Sequence, residues 1–521
     1  MLPCLSGRVC LPADRHGRQV RQAGGNNRII ILYFNGLIVN LKKCADRFFR
    51  TYRYTLAIKK CILGDMKDFQ TLINEQKSFF NTNATKETRY RINQLKKLRN
   101  VLKTHENELN EAIYADFKKS TFDTYTTEIA ILYLEIDEAI SRVLKWSKRK
   151  RVRTNLINFP AKSYSYPEPL GTTLIIGAWN YPIQLSIGPV IASLAAGNTV
   201  VLKPSEIPSK TSQILAEIIN SNFKDYYFHV VEGGVEETTQ LLEQKWDKIF
   251  FTGRTQVGRI IYQAAAKHLT PVTLELGGKS PVFVTKNCNL EVTVNRIVWG
   301  KFLNAGQTCI APDYILVEAG IKDAFLTALK KRIEKMEYAF ENDNYVQIIN
   351  SKNVDRLKKL VDSDKIFYQG EWNEDNRYFP PVILNDVTFQ DPVMEEEIFG
   401  PILPVLEYEN LTEAIRAVKK LPKPLSCYVF TKSKSVKTRI IDELSFGGGA
   451  VNDTIMHIAN NRLPFGGVGT SGIGSYHGKA GFDTFTHYKS ILNKGTWFDP
   501  SLKYPPYTST KLKIIRKVFK L

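Results

Sequence analysis

Between Met66 and about Lys150, apolar side chains recur at steps of three and four residues. The repeat runs through Leu95, Leu98 and Leu102, and a second one extends from residue 129 to residue 143. Apolar positions at this spacing fall on one face of a helix. This stretch is therefore predicted to be helical.

From about residue 170 the pattern changes to short, wholly apolar runs that alternate with helical segments. Strands that are too apolar to be half exposed are typical of a parallel sheet covered by helices on both faces. The pattern predicts a Rossmann-type α/β arrangement, followed by a second α/β stretch from near Pro271 to about Gly481. The apolar runs are Thr173–Ile176, Thr199–Leu202, Tyr227–Val231 and Lys248–Phe251.

Two further segments are predicted to be surface extensions. In residues 162–169, polar side chains alternate with tyrosines and prolines. The second segment follows Phe482 and continues beyond the α/β stretch. Alternation with a period of two is typical of a half-exposed strand. Both segments therefore differ from the buried strands of the main sheets.

The length and composition are those of a multi-unit globular protein. The chain has 521 residues, of which 43% are hydrophobic and 24% are charged. A chain of this length is expected to form two or three substantial units. The predicted fold class is thus α/β with more than one domain.

The net charge of +20 raises the question of a nucleic-acid partner. Residues 1–65 hold 12 Lys and Arg against 3 Asp and Glu, and the remaining excess is spread widely along the chain. No zinc-finger, RNP or basic-region pattern accompanies this charge. Solvated basic faces are the favoured interpretation, and no nucleic-acid partner is predicted.

The basic first 65 residues stand apart from the rest. Their longest apolar run, Ile29–Val39, is too short to cross a bilayer. A secretory signal would place small residues after its apolar core, whereas Lys42 and Lys43 follow here. We predict that residues 1–65 are a non-native or disordered leader and that Met66 is the natural start.

Only three of the seven cysteines lie beyond this leader, namely Cys288, Cys309 and Cys427. They form no Cys-x-x-Cys pair and no His/Cys metal spacing, which favours reduced thiols and predicts no metal site. Cys309 stands out because it ends the polar stretch Asn304-Ala-Gly-Gln-Thr-Cys309. It could be a buried filler, as free cysteines usually are, or a nucleophile.

Two motifs at strand ends could bind a nucleotide. Gly253–Gly258 follows an apolar strand and opens a helix, so its backbone amides could meet a phosphate, although a tight turn is the simpler interpretation. Lys203 and Glu206 follow the preceding strand, where they could hold a ribose or merely cap a helix. A carboxylate beside the 2′-hydroxyl would favour NAD over NADP.

Three polar residues could serve catalysis. The amide of Asn180, in Trp179-Asn-Tyr-Pro182, could donate to an oxyanion or simply form a turn. Glu275 lies in an apolar strand, where burial would raise its pKa toward that of a general base. Glu397 belongs to a run of three glutamates, which without context is most often a solvated face.

Taken in order along the chain, these segments resemble the aldehyde dehydrogenase family, and in particular its class 3 or fatty-aldehyde branch. The likeness covers roughly residues 70–495, and Ser475-Tyr-His-Gly478 is the part most similar to class 3 members. The matching segments are Gly177–Pro182, Leu202–Glu206, Phe251–Gly258, Glu275–Lys279, Gly306–Asp313, Glu397–Pro401 and Pro464–Gly478.

The resemblance implies that Cys309, Glu275 and Asn180 are catalytic. Cys309 would be an exposed nucleophile that attacks the aldehyde, and Asn180 with the Cys309 backbone N–H would stabilise the oxyanion. Glu275 would activate the water that hydrolyses the thioester to a carboxylic acid. Its presence favours hydrolysis over acyl transfer to coenzyme A.

The resemblance also implies NAD as the cofactor, with NADP as the alternative. Lys203 and Glu206 would hold the adenosine ribose, Glu397 the nicotinamide ribose, and Phe399 would flank the nicotinamide end. The turn from Gly253 would bind the phosphates. The implied cofactor-binding positions are Trp179, Lys203, Glu206, Gly253, Arg254, Thr255, Gln256, Val257, Gly258, Glu397 and Phe399.

Domain boundaries follow from the same likeness. A homodimer is expected, and the enzyme is predicted to be cytoplasmic. The C-terminal tail, residues 501–521, could lie on an anionic membrane surface as a peripheral contact, or be a solvated terminal helix. The predicted parts are residues 66–155 and 170–273 for NAD(P) binding, 274–480 for catalysis, 156–169 and 481–500 for a small β oligomerisation extension, and 501–521 for a basic amphipathic tail.

The predicted function is NAD(P)-dependent oxidation of medium- or long-chain aliphatic or aromatic aldehydes to carboxylic acids, through a cysteine thiohemiacetal and thioester. One alternative is a non-redox cysteine hydrolase or esterase, although no histidine adjoins Cys309 in sequence. The other is a catalytically silent binding protein on the same fold. The presence of Cys309, Glu275 and Asn180 argues against the silent protein.

Overall fold

The computed structural model describes residues 33–34, 37–38, 69–339, 341–372 and 376–519. The chain divides into two compact units, Met1–Asp68 and Phe69–Leu521. In the first unit, strand β1 (Tyr33–Phe34) pairs antiparallel with strand β2 (Leu37–Ile38). The rest of the predicted leader and the predicted start at Met66 lie outside the described residues.

The predicted helical region comes first in the second unit, and it contains five of the described α-helices and a π-helical turn at Tyr125–Ile129. The described helices are α1 (Phe69–Asn81), α2 (Thr88–Thr104), α3 (Glu106–Phe117), α4 (Thr121–Thr124), α5 (Ala130–Trp146), α6 (Gln184–Ala196), α7 (Ser209–Asn222), α8 (Val235–Glu243), α9 (Thr255–Ala266), α10 (Leu290–Phe302), α11 (Lys322–Lys335), α12 (Ser351–Lys358), α13 (Leu411–Lys420), α14 (Lys434–Glu443), α15 (Gly478–Thr484) and α16 (Ser509–Phe519).

The strands of this unit form three sheets. They are β3 (Lys150–Val152), β4 (Ala161–Pro169), β5 (Thr172–Ile176), β6 (Thr199–Lys203), β7 (Phe228–Val230), β8 (Lys248–Thr252), β9 (Val272–Glu275), β10 (Pro281–Val284), β11 (Tyr314–Glu318), β12 (Ile366–Gln369), β13 (Val382–Leu384), β14 (Ile402–Tyr408), β15 (Ser426–Phe430), β16 (Gly448–Val451), β17 (Gly472–Ile473) and β18 (Thr486–Lys494).

The first sheet has six strands in the order β17-β9-β8-β5-β6-β7. All neighbours are parallel except β17, which runs antiparallel to β9. Successive residues of β5 alternate between two core clusters, since Leu174 and Ile176 join one and Ile175 joins the other. Both faces of the sheet are therefore buried, which explains why its strands are wholly apolar.

The second sheet has seven strands in the order β12-β13-β14-β11-β10-β15-β16. Only the β12–β13 pair is antiparallel. Its strands supply the largest core cluster, which contains Phe283, Leu316 and Leu403. The predicted second α/β stretch thus has a core of its own.

A third, three-stranded antiparallel sheet has the order β18-β4-β3. Strands β4 and β18 pair over nine residues, from Ala161 opposite Lys494 to Pro169 opposite Thr486. Both predicted extensions are therefore strands, and they belong to one sheet.

The topology places chemistry-bearing segments at strand ends in both large sheets. In the six-stranded sheet, the carboxyl ends of β5, β6, β8 and β9 lead into Gly177, Pro204, Gly253 and Leu276. In the seven-stranded sheet, the loops around Cys309 and Glu397 precede β11 and β14. Ligands of open α/β sheets bind at the carboxyl ends of the strands, so a ligand site is expected at this edge of the six-stranded sheet.

Candidate active site

The candidate nucleophile lies on a tight loop after α10. Asn304 and Ala305 take left-handed backbone angles, with φ of 53° and 51°. At Gly306, φ is 71°, and a Cβ atom would lie 2.3 Å from the carbonyl oxygen of Gly400. Only glycine tolerates such a close approach. The loop therefore reverses direction at Gly306 just before it presents Cys309.

Hydrogen bonds join this loop to the turn that carries Asn180. The Asn180 Nδ2 donates to the carbonyl oxygen of Gln307 at 3.0 Å, and the Asn304 Nδ2 donates to the carbonyl oxygen of Asn180 at 2.9 Å. The Gln307 Nε2 in turn donates hydrogen bonds to the carbonyl oxygens of Asn304 and Gln347. An amide nitrogen carries two protons, so Asn180 keeps one for another acceptor.

Cys309 itself is half-buried. The prediction of an exposed thiol is wrong in this respect, because Cys309 packs against a buried core cluster of the six-stranded sheet. Burial raises the pKa of the Cys309 thiol, and the nearby charges of Glu397 and Glu275 raise it further. The backbone N–H groups of Cys309 and Ile310 act in the opposite direction and favour the thiolate.

Glu275 ends strand β9 and is only 3% exposed. Neither of its carboxyl oxygens has a hydrogen-bond partner within the described residues. Burial raises the pKa of this carboxyl well above its ordinary value. A buried carboxyl without a partner is a strong proton acceptor once it ionises, as a general base must be.

The Glu397 side chain lies against Gly277, in the loop that follows Glu275. A Cβ atom on Gly277 would lie 2.0 Å from the Glu397 Oε2, so only glycine leaves room for this carboxylate. Burial raises the pKa of Glu397 to about 8, and the negative charge of Asp313 adds to the effect. The interpretation of Glu395–Glu397 as a solvated face does not hold for Glu397.

The pair Lys203 and Glu206 lies at the carboxyl end of β6. Lys203 is 1% exposed, and its Nζ lies 3.7 Å from the Glu206 Oε2 and 2.7 Å from the carbonyl oxygen of Pro204. Burial lowers the pKa of Lys203, while Glu206 partly restores it. The Glu206 side chain is half exposed, which leaves its carboxylate open to a ligand.

The glycine turn joins β8 to helix α9. A Cβ atom on Gly258 would lie 2.8 Å from the Leu276 Cδ2, so this helix packs closely on the segment after Glu275. Arg254, Gln256 and Val257 are exposed, and the Thr255 Oγ1 donates to the carbonyl oxygen of Thr470 at 3.2 Å. The free N–H groups of a helix start and its positive dipole suit a phosphate.

Two aromatic residues meet at the other end of the candidate cofactor site. The Trp179 and Phe399 rings pack edge to face with centroids 5.3 Å apart. Trp179 also stacks on Phe117 at 6.4 Å. The structure thus places Trp179 of the Asn180 turn against Phe399 of the Glu397 loop.

The ion pair between Lys279 and Asp313 holds the Glu397 loop, and the sequence analysis did not predict it. The Lys279 Nζ lies 2.6 Å from the Asp313 Oδ2 and donates to the carbonyl oxygens of Val393 and Glu396, each at 2.9 Å. The Asp313 Oδ1 accepts from the Ile398 backbone N–H at 3.0 Å. Lys279 and Asp313 are the last residues of two segments that resemble the family, Glu275–Lys279 and Gly306–Asp313. No other feature of the sequence indicated their contact.

Two features are absent from the described residues. None of their helices is long and apolar enough to span a membrane. No group of three or more His, Cys, Asp or Glu side chains in the same residues could hold a metal ion.

The fold and these motifs can be compared with known proteins. A model of the aldehyde dehydrogenase family matches residues 55–491. The chain is similar to a 4,4'-diaponeurosporen-aldehyde dehydrogenase of Staphylococcus aureus, with 48% identity over 450 residues that cover 86% of this chain and 98% of the relative. It is also similar to aldehyde dehydrogenase family 3 member A2 of Pongo abelii, with 44% identity that covers 83% of this chain and 90% of the relative.

A solved structure shows the same fold. The substrate-bound state of Staphylococcus aureus AldH is similar with a TM-score of 0.85 and 46% identity, over 87% of this chain and 100% of the solved chain. This likeness confirms the predicted fold class.

Proposed function

This chain belongs to the aldehyde dehydrogenase family, and from that premise we propose how its own residues carry out the reaction. The protein is an NAD(P)-dependent aldehyde dehydrogenase of the class 3 branch. We propose that Cys309, Glu275 and Asn180 are its catalytic residues. The observation that carries the proposal is the hydrogen-bonded junction between the Asn180 turn and the Cys309 loop.

The first step is attack of the Cys309 sulfur on the aldehyde carbonyl. Because burial raises the pKa of the thiol, the sulfur must give up its proton as the reaction begins. The thiol passes this proton to solvent, and the backbone N–H groups of Cys309 and Ile310 favour the thiolate that remains. The second amide proton of Asn180 and the Cys309 backbone N–H then donate to the oxyanion of the thiohemiacetal.

The second half of the reaction releases the acid. NAD or NADP, when bound, supplies the acceptor for the hydride that leaves the thiohemiacetal carbon. Cys309 then holds the acyl group as a thioester. Glu275 takes a proton from a water molecule, which attacks the thioester carbon and frees a carboxylic acid. The main influences on the Cys309 pKa are burial, Glu397 and Glu275 rather than a histidine, which disfavours a Cys-His hydrolase.

The residues at the strand ends fit a dinucleotide. Lys203 and Glu206 offer a donor and an acceptor for ribose hydroxyls, and the start of α9 offers backbone N–H groups for phosphate. Glu397 offers a carboxylate to the second ribose, and Phe399 with Trp179 offers an apolar wall. We propose that these residues, with Gly253 to Gly258, hold the cofactor.

We propose that the substrates are medium- or long-chain aliphatic or aromatic aldehydes. The support is that Cys309 packs against a buried apolar core cluster. One relative is named for 4,4'-diaponeurosporen-aldehyde, which agrees with an apolar substrate.

The test is to follow cofactor reduction with NAD and then NADP against aldehydes of increasing chain length. The expected result is turnover that is lost in C309S and retained in C288S, a matched control because Cys288 is also half-buried. Full turnover in C309S would contradict the proposed mechanism. No cofactor reduction with any aldehyde would favour the silent binding protein, and thiol-dependent ester cleavage alone would favour the hydrolase.

The three sheets divide the chain into parts with different roles. We propose that residues 66–155 and 170–273 bind the cofactor, that 274–480 form the catalytic domain, and that 156–169 and 481–500 mediate homodimerisation. The support is that β18 is an edge strand whose Ile491 and Leu492 are exposed. An exposed edge of this kind is a template for pairing with another chain.

We also propose that the enzyme is cytoplasmic and makes peripheral membrane contact through its tail. Helix α16 has no buried residue and combines exposed Leu512, Val518 and Phe519 with Lys513, Arg516 and Lys517. A helix with apolar and basic faces suits an anionic membrane surface.

A further inference from the structure

Behind the Asn180 turn, a Lys and a Glu form an ion pair that is sealed from solvent. The Lys119 Nζ lies 2.8 Å from the Glu128 Oε1, and the two side chains are 2% and 0% exposed. Removing two charges from water costs several kcal/mol per ion, and a well-packed apolar pair is often as stable. The pair is therefore better explained by what it holds in place than by stability alone.

The local backbone aims Glu128 inward. The pair spans nine residues, and between its members the chain passes through α4 and the π-helical turn Tyr125–Ile129. A π turn inserts an extra residue into a helix and shifts the side chains that follow, and such turns are frequent at functional sites. Here the turn places the carboxylate under the start of helix α6.

The second oxygen of Glu128 anchors that helix start. The Glu128 Oε2 accepts from the backbone N–H groups of Ile183 and Gln184 at 2.9 and 3.2 Å. Ile183, the residue before α6, offers no side-chain cap of its own. A carboxylate at a helix start satisfies free N–H groups and complements the dipole. Glu128 thus fixes the chain three residues after Asn180.

Lys119 anchors the same turn from its other side. Its Nζ lies 4.4 Å from the centre of the Tyr181 ring, within range of a cation–π contact. The Tyr181 hydroxyl is 2.7 Å from the Thr308 Oγ1. Tyr181 follows Asn180 and Thr308 precedes Cys309, so this hydrogen bond spans the two segments that must converge on the oxyanion.

We infer that the buried Lys119–Glu128 pair is a positioning unit for the oxyanion site, which acts through Tyr181 and the start of α6 to hold the Asn180 amide against Cys309. The inference rests on the proposed roles of Asn180 and Cys309. Neither Lys119 nor Glu128 touches substrate. Their effect should appear in every step that forms an oxyanion on Cys309, with or without a cofactor.

The test uses the intact protein and the variants E128Q and K119M/E128L. Three quantities are measured: cleavage of p-nitrophenyl acetate without cofactor, the rate of the first NADH formed in a stopped-flow burst, and the Kd for NAD. Ester cleavage and the burst rate should both fall by roughly 10- to 100-fold, as expected for a displacement near 1 Å. The Kd for NAD should change less than twofold.

The control variant is K365M. It removes one partner of the Lys365–Asp391 ion pair, which has an N–O distance of 2.5 Å and lies on other elements. This variant should keep the wild-type ester cleavage and burst rates.

The double variant separates folding from positioning. It leaves no unpaired buried charge, so it should fold and still show the same fall in ester cleavage and burst rate. Wild-type ester cleavage in this variant would overturn the inference, and so would an equal loss of NAD affinity. If the double variant does not fold, Y181F takes its place, because it removes the hydrogen bond to Thr308 and changes the shape of the side chain little. A wild-type rate of ester cleavage in Y181F would likewise overturn the inference. The proposed function depends instead on C309S, so the two can fail separately.

Discussion

At the residue scale, the site combines two groups that water would normally stabilise. Cys309 and Glu275 both have raised pKa values, and burial is the first cause for each. Burial suits their chemistry because a desolvated thiolate and carboxylate are reactive. The same burial works against folding whenever either group is charged.

The first residue-scale prediction concerns E275Q and stability. A carboxyl whose pKa is raised by folding holds its proton in the folded state at pH values where the unfolded chain has lost it. The free energy of unfolding then falls as the pH rises from the ordinary carboxyl range to the folded pKa. E275Q removes this penalty, so it should unfold at a higher temperature than wild type, by a margin that grows as the pH rises above the ordinary carboxyl range.

Thermal unfolding curves at several pH values measure this margin. The control is E443Q, at the end of helix α14, because the hydrogen bond from Arg439 lowers the pKa of that carboxyl, so its removal should give no gain that grows with pH. A margin for E275Q that stays constant with pH would show that its carboxyl is not held protonated by burial.

The second residue-scale prediction concerns cofactor choice. The half-exposed Glu206 carboxylate beside Lys203 should repel the 2′-phosphate of NADP. E206Q should therefore raise kcat/KM with NADP by roughly tenfold, about 1.4 kcal/mol, while kcat/KM with NAD falls or stays unchanged. Steady-state rates with both cofactors provide the measurement, and an unchanged ratio would remove Glu206 from the ribose site.

Sequence patterns predicted some of these residues and not others. Asn180, Glu275 and Cys309 lie in motifs whose order could be compared with a family. Lys119 and Glu128 carry no such signal, because a Lys and a Glu nine residues apart meet only through a π turn and the packing of α6 above them. The raised pKa of Cys309 could not be predicted from the sequence either. It depends on burial of the thiol, and the polar residues beside Cys309 in the sequence do not indicate burial.

At the element scale, the apolar runs predicted the buried strands because both faces of the six-stranded sheet are covered. Strand β17 was not predicted, since Gly472–Ile473 is too short to show any period and is defined only by its pairing with β9. That pairing matters for the site, because Gly472 lies opposite Glu275 in the register. Pairing across nearly 200 residues is not encoded in any local pattern.

The element-scale prediction concerns helix α16. Deleting residues 509–521 should abolish binding to vesicles that contain phosphatidylserine and leave turnover of a water-soluble aldehyde unchanged. The variant K513E/R516E/K517E should give the same loss, because it reverses the charge of the basic face without removing the apolar side chains. Vesicle co-sedimentation measures this, and retained binding in both variants would assign α16 as a solvated terminal helix.

At the scale of the whole molecule, the β18-β4-β3 sheet is the part with least core of its own. Its strand β18 is mostly exposed, and one edge of that strand has no neighbour among the described strands. Exposed apolar residues on such an edge are usually covered in the native assembly. This supports two chains that pair through β18.

The whole-molecule prediction is a homodimer that depends on this strand. Light scattering should give the mass of two chains, and I491P should shift the protein toward the mass of one, because proline removes a backbone donor and restricts the strand. Proline at Ser435, in the first turn of helix α14, is a control that should leave the mass unchanged, since proline is tolerated there. A monomeric wild type would contradict the proposed role of residues 481–500.

The most direct test of the central claim is to trap the acyl group on Cys309. E275Q is mixed with NAD and a long-chain aldehyde, reduced cofactor is followed by stopped flow, and the quenched protein is digested for mass spectrometry. The account predicts about one reduced cofactor per chain, little further turnover, and an acyl group on the peptide that contains Cys309. Steady turnover at the wild-type rate, or an acyl group on Cys288 or Cys427 instead, would contradict it.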